Sequence, residues 1–399
     1  MNPIKKYLAD HPDVTSREMV EKIKDYYTAN IVVPNGKTKP FTPFDLIEEI
    51  SQQLTFNCSS KVLVFYTPEW GAYLHLFTPV LAENITVTTT VDNRKIAALC
   101  NMHGLKYCVL DTVVDQINKG EIMKFDVIVG NPPYQNSNGT SRLGSRGDTT
   151  LWDKFVFLGI NCLVQNGYLA LIHPNSWRKP EERFGTWKLL TKTNQMHRLV
   201  MSSGSKDQNW FNIGVRVDYY IVEKTPQYTT TKVTDHESQT HVLDLTKFNW
   251  LPNYAIDEIS SMLGSGVTVL YNTFYHTQKD HSTIKDEKYQ YPVVHTINKQ
   301  GLGVRYFDKL PPDNSIHFGK PKVLLNQNER QYPVVDATGQ YGMSQLTFGI
   351  GIDSETEGQE IVDFLTSDKG RRIIAATKWN TYYTDYSMFK SFKKDFYKC

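Results

Sequence analysis

No Cys-x-x-Cys pair occurs in these 399 residues, and the five cysteines (Cys58, Cys100, Cys108, Cys162 and Cys399) are odd in number and far apart. That spacing excludes a thiolate zinc site and a disulfide framework, and it suits a reducing compartment. No metal is expected. A run of about 18 apolar residues, the length that crosses a bilayer, is also missing, and the opening MNPIKKYLADHPDV has no apolar signal core. The expectation is a cytoplasmic protein with no membrane partner. Nor is there an excess of one charge: 44 Lys and Arg against 42 Asp and Glu leave a net +2, so any basic surface for nucleic acid must be local. Internal repeats and low-complexity tails are absent too.

What is present is a globular composition, 40% hydrophobic and 22% charged, in a chain long enough for roughly two domains. Ile4, Tyr7, Leu8, Met19, Val20, Ile23, Tyr26 and Tyr27 fall at helical spacing and predict an N-terminal helical segment within 1–40. Phe44 to Leu54 reads as an amphipathic helix with Thr42 as its N-cap and Pro43 at its first position. From residue 61 strands and helices alternate. Strands are expected over 61–65, 85–91, 107–110, 125–129, 168–172, 199–201 and 217–222, and helices over 72–81, 93–102 and 151–164. Such alternation predicts an α/β fold with a largely parallel sheet covered on both faces, and ligands then sit at the carboxyl ends of the strands. The pattern breaks at Thr225 to Thr231, which places a boundary near 225 between a domain over 41–225 and another over 226–399. In the second, strands near 267–271, 291–296 and 323–325 and a last helix over 360–377 are expected.

One strand end stands out. Phe125 to Val129 is a short apolar run that continues through Gly130 into Asn131-Pro132-Pro133-Tyr134. Two prolines fix φ and donate no N–H, so the Asn131 amide and the neighbouring carbonyls face a partner other than the chain. Acceptors beside an aromatic ring suit a planar base carrying an amino group. A plain Pro-Pro turn after a strand remains the alternative on these residues alone.

In its setting the run from Phe125 to Tyr134 resembles the amino-group motif of S-adenosylmethionine-dependent N6-adenine DNA methyltransferases, as in the methylase part of type II restriction-modification enzymes. The succession of elements is similar over roughly 40–225: Thr42-Pro43, Thr67 to Leu74, Thr90 to Asp92, Asp111, Leu151 to Phe155, Gly167 to Trp177, and Trp210-Phe211. The resemblance implies a Rossmann-like class I methyltransferase sheet, mostly parallel with an antiparallel terminal hairpin, followed by a C-terminal α+β target-recognition domain. It also implies S-adenosylmethionine as cofactor, double-stranded DNA as partner and a bacterial or phage-infected cell as host. Asn131, Pro132, Pro133 and Tyr134 take the catalytic positions, Phe211 and Trp210 those that stack on the base, and Thr42, Gly71, Asp92 and Asp111 those around the cofactor. The departures are Glu69, where the family has the first glycine of its Gly-x-Gly turn, and Thr90, where it has a ribose-binding acid. Either Glu69 and Asp92 rebuild that pocket or cofactor affinity is reduced, so a DNA-binding protein that has lost catalysis is carried as an alternative, as are cytosine N4, RNA or protein glutamine acceptors.

Arg142 and Arg146, in the polar loop after Tyr134, are candidate DNA contacts. So are Arg330, which could read a base edge, and Lys378, in a basic and aromatic stretch that runs to Phe396 and Tyr397. For that stretch an amphipathic tail with its rings in the core is the competing reading.

Overall fold

Short β-branched runs separated by amphipathic stretches fold as the alternation predicts. The structure, a computed structural model, describes residues 42–90, 92–134, 150–180, 184–202, 210–211, 216–312, 316–327, 331–379 and 384–399. The expected helical segment over 1–40, Arg142, Arg146 and Arg330 lie outside them. Two compact units are present: Met1–Trp177 with Arg183–Phe248, and Arg178–Glu182 with Asn249–Cys399.

In the first unit the elements are α1 (Phe44–Ser51), β1 (Val62–Phe65), α2 (Pro68–Phe77), β2 (Ile85–Thr89), α3 (Arg94–His103), β3 (Lys106–Val109), α4 (Leu110–Asn118) and β4 (Phe125–Gly130). They continue with α5 (Trp152–Cys162), β5 (Leu163–Pro174), α6 (Thr186–Thr191), β6 (Gln195–Met201), β7 (Val217–Glu223), β8 (Thr231–Thr234) and β9 (Thr240–Leu243). The sheet order is β3-β2-β1-β4-β5-β7-β6-β8-β9. β3, β2, β1, β4 and β5 are parallel, while β7 runs antiparallel between β5 and β6. This is the mostly parallel α/β sheet with an antiparallel end that the resemblance implies. Every residue of β1 is buried, as a central parallel strand requires. Alternation sends Val62, Val64, Val127, Val129, Ala170 and Ile172 into one core with α1, α2 and α3, while Phe65 points the other way and meets Phe155 of α5 edge-on at 5.2 Å.

The structure departs from the sequence reading at Thr42, at α2 and past residue 225. Thr42 does not cap α1: Pro43 holds the N-cap position and no side chain caps it, because the Thr42 hydroxyl is engaged elsewhere. α2 starts at Pro68, its first-turn proline, so Glu69 lies inside a helix and not in an open turn. Past the break expected near 225 the sheet continues, since β8 pairs in parallel with β6 and the unit runs to Phe248.

In the second unit, α7 (Ile256–Met262), β10 (Val269–Leu270), α8 (Phe274–Thr277), β11 (Tyr291–Asn298), β12 (Gly301–Phe307), β13 (Lys322–Asn326), β14 (Val334–Asp336), β15 (Gly342–Met343), β16 (Thr347–Gly351), α9 (Glu355–Thr366) and α10 (Asp368–Ala376) follow in order. They form a sheet β10-β16-β13-β14 and a smaller one β12-β11-β15. The single last helix expected over 360–377 is two, since Ser367 ends α9 and caps α10 by accepting from the Gly370 amide. Trp379, Phe389, Phe392 and Phe396 are all buried in this unit's core, so the aromatic tail is interior. Arg178 is fully buried there, donating to the carbonyls of Leu251 and Pro252 and to Asn253 Oδ1, with its guanidinium 5.4 Å from the Trp379 ring centre.

Candidate active site at the carboxyl ends of β1 and β4

The strand order reverses at β1, and in open parallel sheets that switch point opens a crevice at the carboxyl ends. The last ladder pair between β1 and β4 is Phe65 with Gly130, so Tyr66 and Asn131 leave adjacent strands side by side. A Cβ on Gly130 would lie 2.5 Å from the Phe65 carbonyl oxygen and 2.8 Å from Phe65 Cβ, so only glycine lets the turn begin there. Asn131 is 2% exposed, and its Nδ2 donates to Thr42 Oγ1 at 3.5 Å. Among the described residues Asn131 Oδ1 receives no hydrogen bond, which leaves an acceptor at the crevice. Thr42 is itself buried, and its backbone N–H donates to Glu69 Oε1 at 3.2 Å. Three segments far apart in sequence thus meet as Glu69, Thr42 and Asn131.

The Tyr134 carbonyl accepts from the Leu151 amide at 3.1 Å, which ties the far end of the turn to α5. Its hydroxyl is buried; burial pushes the phenol above its ordinary range, with the Asn131 side chain acting against that. Behind the turn, the Trp152 ring stacks on His173 at 4.6 Å and 13°. His173 is fully buried, with Nε2 2.9 Å from the Tyr220 hydroxyl and Nδ1 3.0 Å from the Pro174 carbonyl. A carbonyl only accepts, so Nδ1 carries the proton and Nε2 takes the phenol's. Trp177 crosses the same ring and donates to Asp218 Oδ2 at 2.8 Å.

Burial lowers the pKa of His173 to about 3, partly offset by the bond to Pro174. The folded chain therefore keeps it neutral, while the unfolded chain takes up a proton below the ordinary value of 6.5. Stability is then lost as pH falls through 6.5 towards the folded value, by up to about 1.4 kcal/mol per pH unit for one such group. His173→Gln is expected to flatten this slope in urea titrations run at a series of pH values. Equal slopes for variant and wild type would count against the buried neutral imidazole.

At the crests of β2 and β3, Asp92 and Asp111 are exposed; Asp111 lies in the first turn of α4. Thr90 is exposed as well, and its amide donates to the Tyr66 hydroxyl at 2.6 Å while the two hydroxyls also pair. Tyr66 has φ +64°, a left-handed conformation uncommon outside glycine, asparagine and aspartate, which sends its side chain across to β2. Asp92 and Asp111 are thus exposed carboxylates just past the ends of β2 and β3, and Glu69 is a buried one in the first turn of α2.

Some expected residues are elsewhere. Gly71 does not line the crevice: a Cβ there would meet Leu105 at 3.0 Å and Val87 at 3.2 Å, so this glycine seats α2 on the sheet. Phe211 is 8% exposed and sits in the main core, leaving little free face, while Trp210 packs beside Tyr219 at 5.7 Å. Lys378 is buried within the second unit, and its carbonyl accepts from Asn253. Of the neighbouring basic residues, Arg372 pairs with Glu258, Lys394 with Asp353 and Lys398 with Glu360. Sequence reasoning missed Tyr66, whose backbone conformation leaves no mark on the residue pattern, and missed the column Trp152-His173-Tyr220, although the segments that supply it were singled out.

The first unit carries the sheet order and the strand-end Asn-Pro-Pro-Tyr turn that the resemblance to class I methyltransferases implies. Within it, residues 82–208 match the model of the Eco57I restriction-modification methylase family. A stretch of 56 residues is 46% identical to an uncharacterized adenine-specific methylase of Mycoplasma pneumoniae, covering 14% of this chain and 13% of that protein. The resemblance to adenine-specific methylases is therefore borne out, and the matched stretch spans about an eighth of that relative. Among solved structures, the M protein of the type I restriction enzyme EcoKI is 15% identical, with 56% of this chain and 52% of that chain covered at a TM-score of 0.38. The type IIL restriction-modification enzyme MmeI in complex with DNA is 10% identical, with 90% and 63% covered at a TM-score of 0.45. No helix among the described residues is long and apolar enough to cross a membrane, and no group of His, Cys, Asp or Glu among them could hold a metal ion.

Proposed function

We propose that the chain transfers a methyl group to the exocyclic N6 of an adenine flipped out of double-stranded DNA. The observation that carries this reading is the open acceptor Asn131 Oδ1 at the switch point, on a turn held at both ends. The adenine amino nitrogen is a poor nucleophile because its lone pair is delocalised into the ring. Asn131 Oδ1 and the Pro132 carbonyl accept its two hydrogens, Pro133 keeps the turn rigid, and the lone pair is freed and aimed. Fixed acceptors contribute through orientation and preorganised charge, so no strong base is needed. Tyr134 offers a ring face to the base, worth about 0.5 to 2 kcal/mol once positive charge develops. Leaving the duplex costs base stacking, which aromatic contact offsets. S-adenosylmethionine, when bound, supplies the electrophilic methyl group. Asp92 and Asp111 would hold its nucleoside part, with Thr42 and Glu69 beside Asn131. The second unit is assigned to target recognition, and Arg142 and Arg146 to the DNA backbone near the turn.

Incubation with S-adenosylmethionine labelled in the methyl group and long unmethylated duplex DNA is expected to give labelled N6-methyladenine on nucleoside digestion. Label in N4-methylcytosine would change the acceptor, and no transfer at any salt concentration would remove the activity. The Tyr66–Thr90 pairing where the family has a ribose-binding acid favours one second reading, a DNA-binding protein that no longer binds the donor. Calorimetric binding of S-adenosylmethionine removes it.

A further inference from the structure

The β11–β12 hairpin of the second unit uses its two faces differently. Val294, Ile297, Leu302 and Val304 pack on one side with Leu324 and Met343, while on the other Val293 and Phe307 meet Tyr275 and Phe318. Towards the hairpin turn that second face becomes polar. The register slips between Val294 and Thr296, a bulge that puts His295 and Thr296 on the same side where plain pairing would alternate them. Thr296 pairs with Gly303, where a Cβ would collide with Thr296 Oγ1, so glycine leaves the hydroxyl room over the strand. Arg305, opposite Val293, falls on the same face by alternation. Along the other edge of β12, Ser282 bridges Tyr306 through two backbone hydrogen bonds and brings in His281, whose ring stacks on Phe307 at 5.4 Å and 28°. Two imidazoles, a guanidinium and a hydroxyl thus share one half-buried patch floored by a glycine.

Among the described residues no carboxylate and no hydrogen-bond acceptor pairs with the Arg305 side chain. Asp280, beside His281 in the chain, is held by Lys288 and the Tyr289 hydroxyl. His281 Nδ1 lies 3.1 Å from the Lys279 carbonyl and so carries its proton there, which leaves Nε2 for a partner. Burial, then Arg305 and His281, hold the His295 imidazole below its ordinary range. An anion relieves this crowding of like charge: it accepts from the guanidinium and the hydroxyl and draws protons onto the rings.

We infer that Arg305, Thr296, His295 and His281 hold one backbone phosphate of double-stranded DNA, an inference that rests on the DNA-modifying reading above. A guanidinium meets two phosphate oxygens at once, and the hydroxyl and imidazoles supply further donors around the same tetrahedral group. Such a contact fixes the protein's register on the duplex and carries no sequence information.

The test measures binding of the full chain, without methyl donor, to short duplexes of unrelated sequence by fluorescence anisotropy over a series of salt concentrations. Arg305→Gln is expected to weaken binding about tenfold on every duplex and to lower the slope of log affinity against log salt by about one. Arg305→Lys keeps the charge and hence the slope. Thr296→Val keeps the shape, weakens binding about threefold and leaves the slope unchanged. Melting temperatures of the variants stay within about 2 °C of wild type, which separates a lost contact from a lost fold. Wild-type affinity and slope in Arg305→Gln, or a loss confined to some sequences, would each overturn the inference, the second because it marks a base contact. If the wild-type chain binds no duplex DNA, the functional reading loses its partner and a second measurement decides the site. In protein labelled with 15N at histidine, inorganic phosphate added at constant ionic strength should shift the His281 and His295 ring signals towards protonated imidazole, and Arg305→Gln should abolish the shift. Unmoved signals in the wild type overturn the site. Shifts without DNA binding support an anion site and overturn its assignment to DNA.

Discussion

Asn131→Ala is expected to reduce methyl transfer to duplex DNA on the order of a hundredfold to a thousandfold, the scale seen when one preorganised hydrogen-bonding group is removed from a reacting centre. The substitution deletes the acceptor we propose for the amino group and leaves the sheet beneath it intact, since the side chain contributes one long hydrogen bond to Thr42 and nothing to the β4 ladder. Donor affinity and melting temperature should therefore stay near wild type while turnover collapses, and Tyr134→Ala should act in the same direction. Single-turnover label transfer beside calorimetry with S-adenosylmethionine provides the check. Wild-type rates in Asn131→Ala would refute the site.

Gly130→Ala should act on the other quantity, stability. The added methyl meets backbone and Cβ atoms of Phe65 in a neighbouring, fully buried strand, and none of these is the far end of a flexible side chain. β1 and β4 must part at the switch point. Overpacking of this kind costs roughly 3 kcal/mol, which lowers the melting temperature of a unit this size by about 6 to 12 °C. Differential scanning calorimetry of the whole chain reads it directly. A shift within about 1 °C would mean that the strands separate more easily than their burial implies.

Much of the first unit was legible because buried parallel strands are written as short apolar runs whose order in the chain fixes the alternation. β1, β2, β4 and β7 fall where Val62, Ile85, Val127 and Val217 announce them. α4 was not legible, since its polar face and its abrupt start after Val109 resemble a loop, and the β8–β9 hairpin was hidden because its threonines read equally well as linker. At the site, rigidity and donor count singled out the turn Asn131 to Tyr134 but left a plain Pro-Pro turn open, and only the resemblance gave it a role. Its supports were not legible. Thr42 bonded to Asn131 is a contact across 89 positions, and a residue that caps a helix on local grounds can be drawn off by a distant partner that only the fold supplies. Phe211 and Lys378 show the converse, residue types that suit a surface role but are used inside the protein.

The buried guanidinium of Arg178 bears on how the gene can be divided. Arg178–Glu182 belongs to the second unit although residues on both sides belong to the first, so the chain passes from one unit to the other at 177, 182 and 248. A fragment ending at Phe248 would keep Arg178 yet lose Leu251, Pro252, Asn253 and Trp379, its partners. Exchange of the second unit between relatives at one crossover after 248 would therefore carry a mismatched arginine into the hybrid. A swap that includes 178–182 with the C-terminal part would keep the set together.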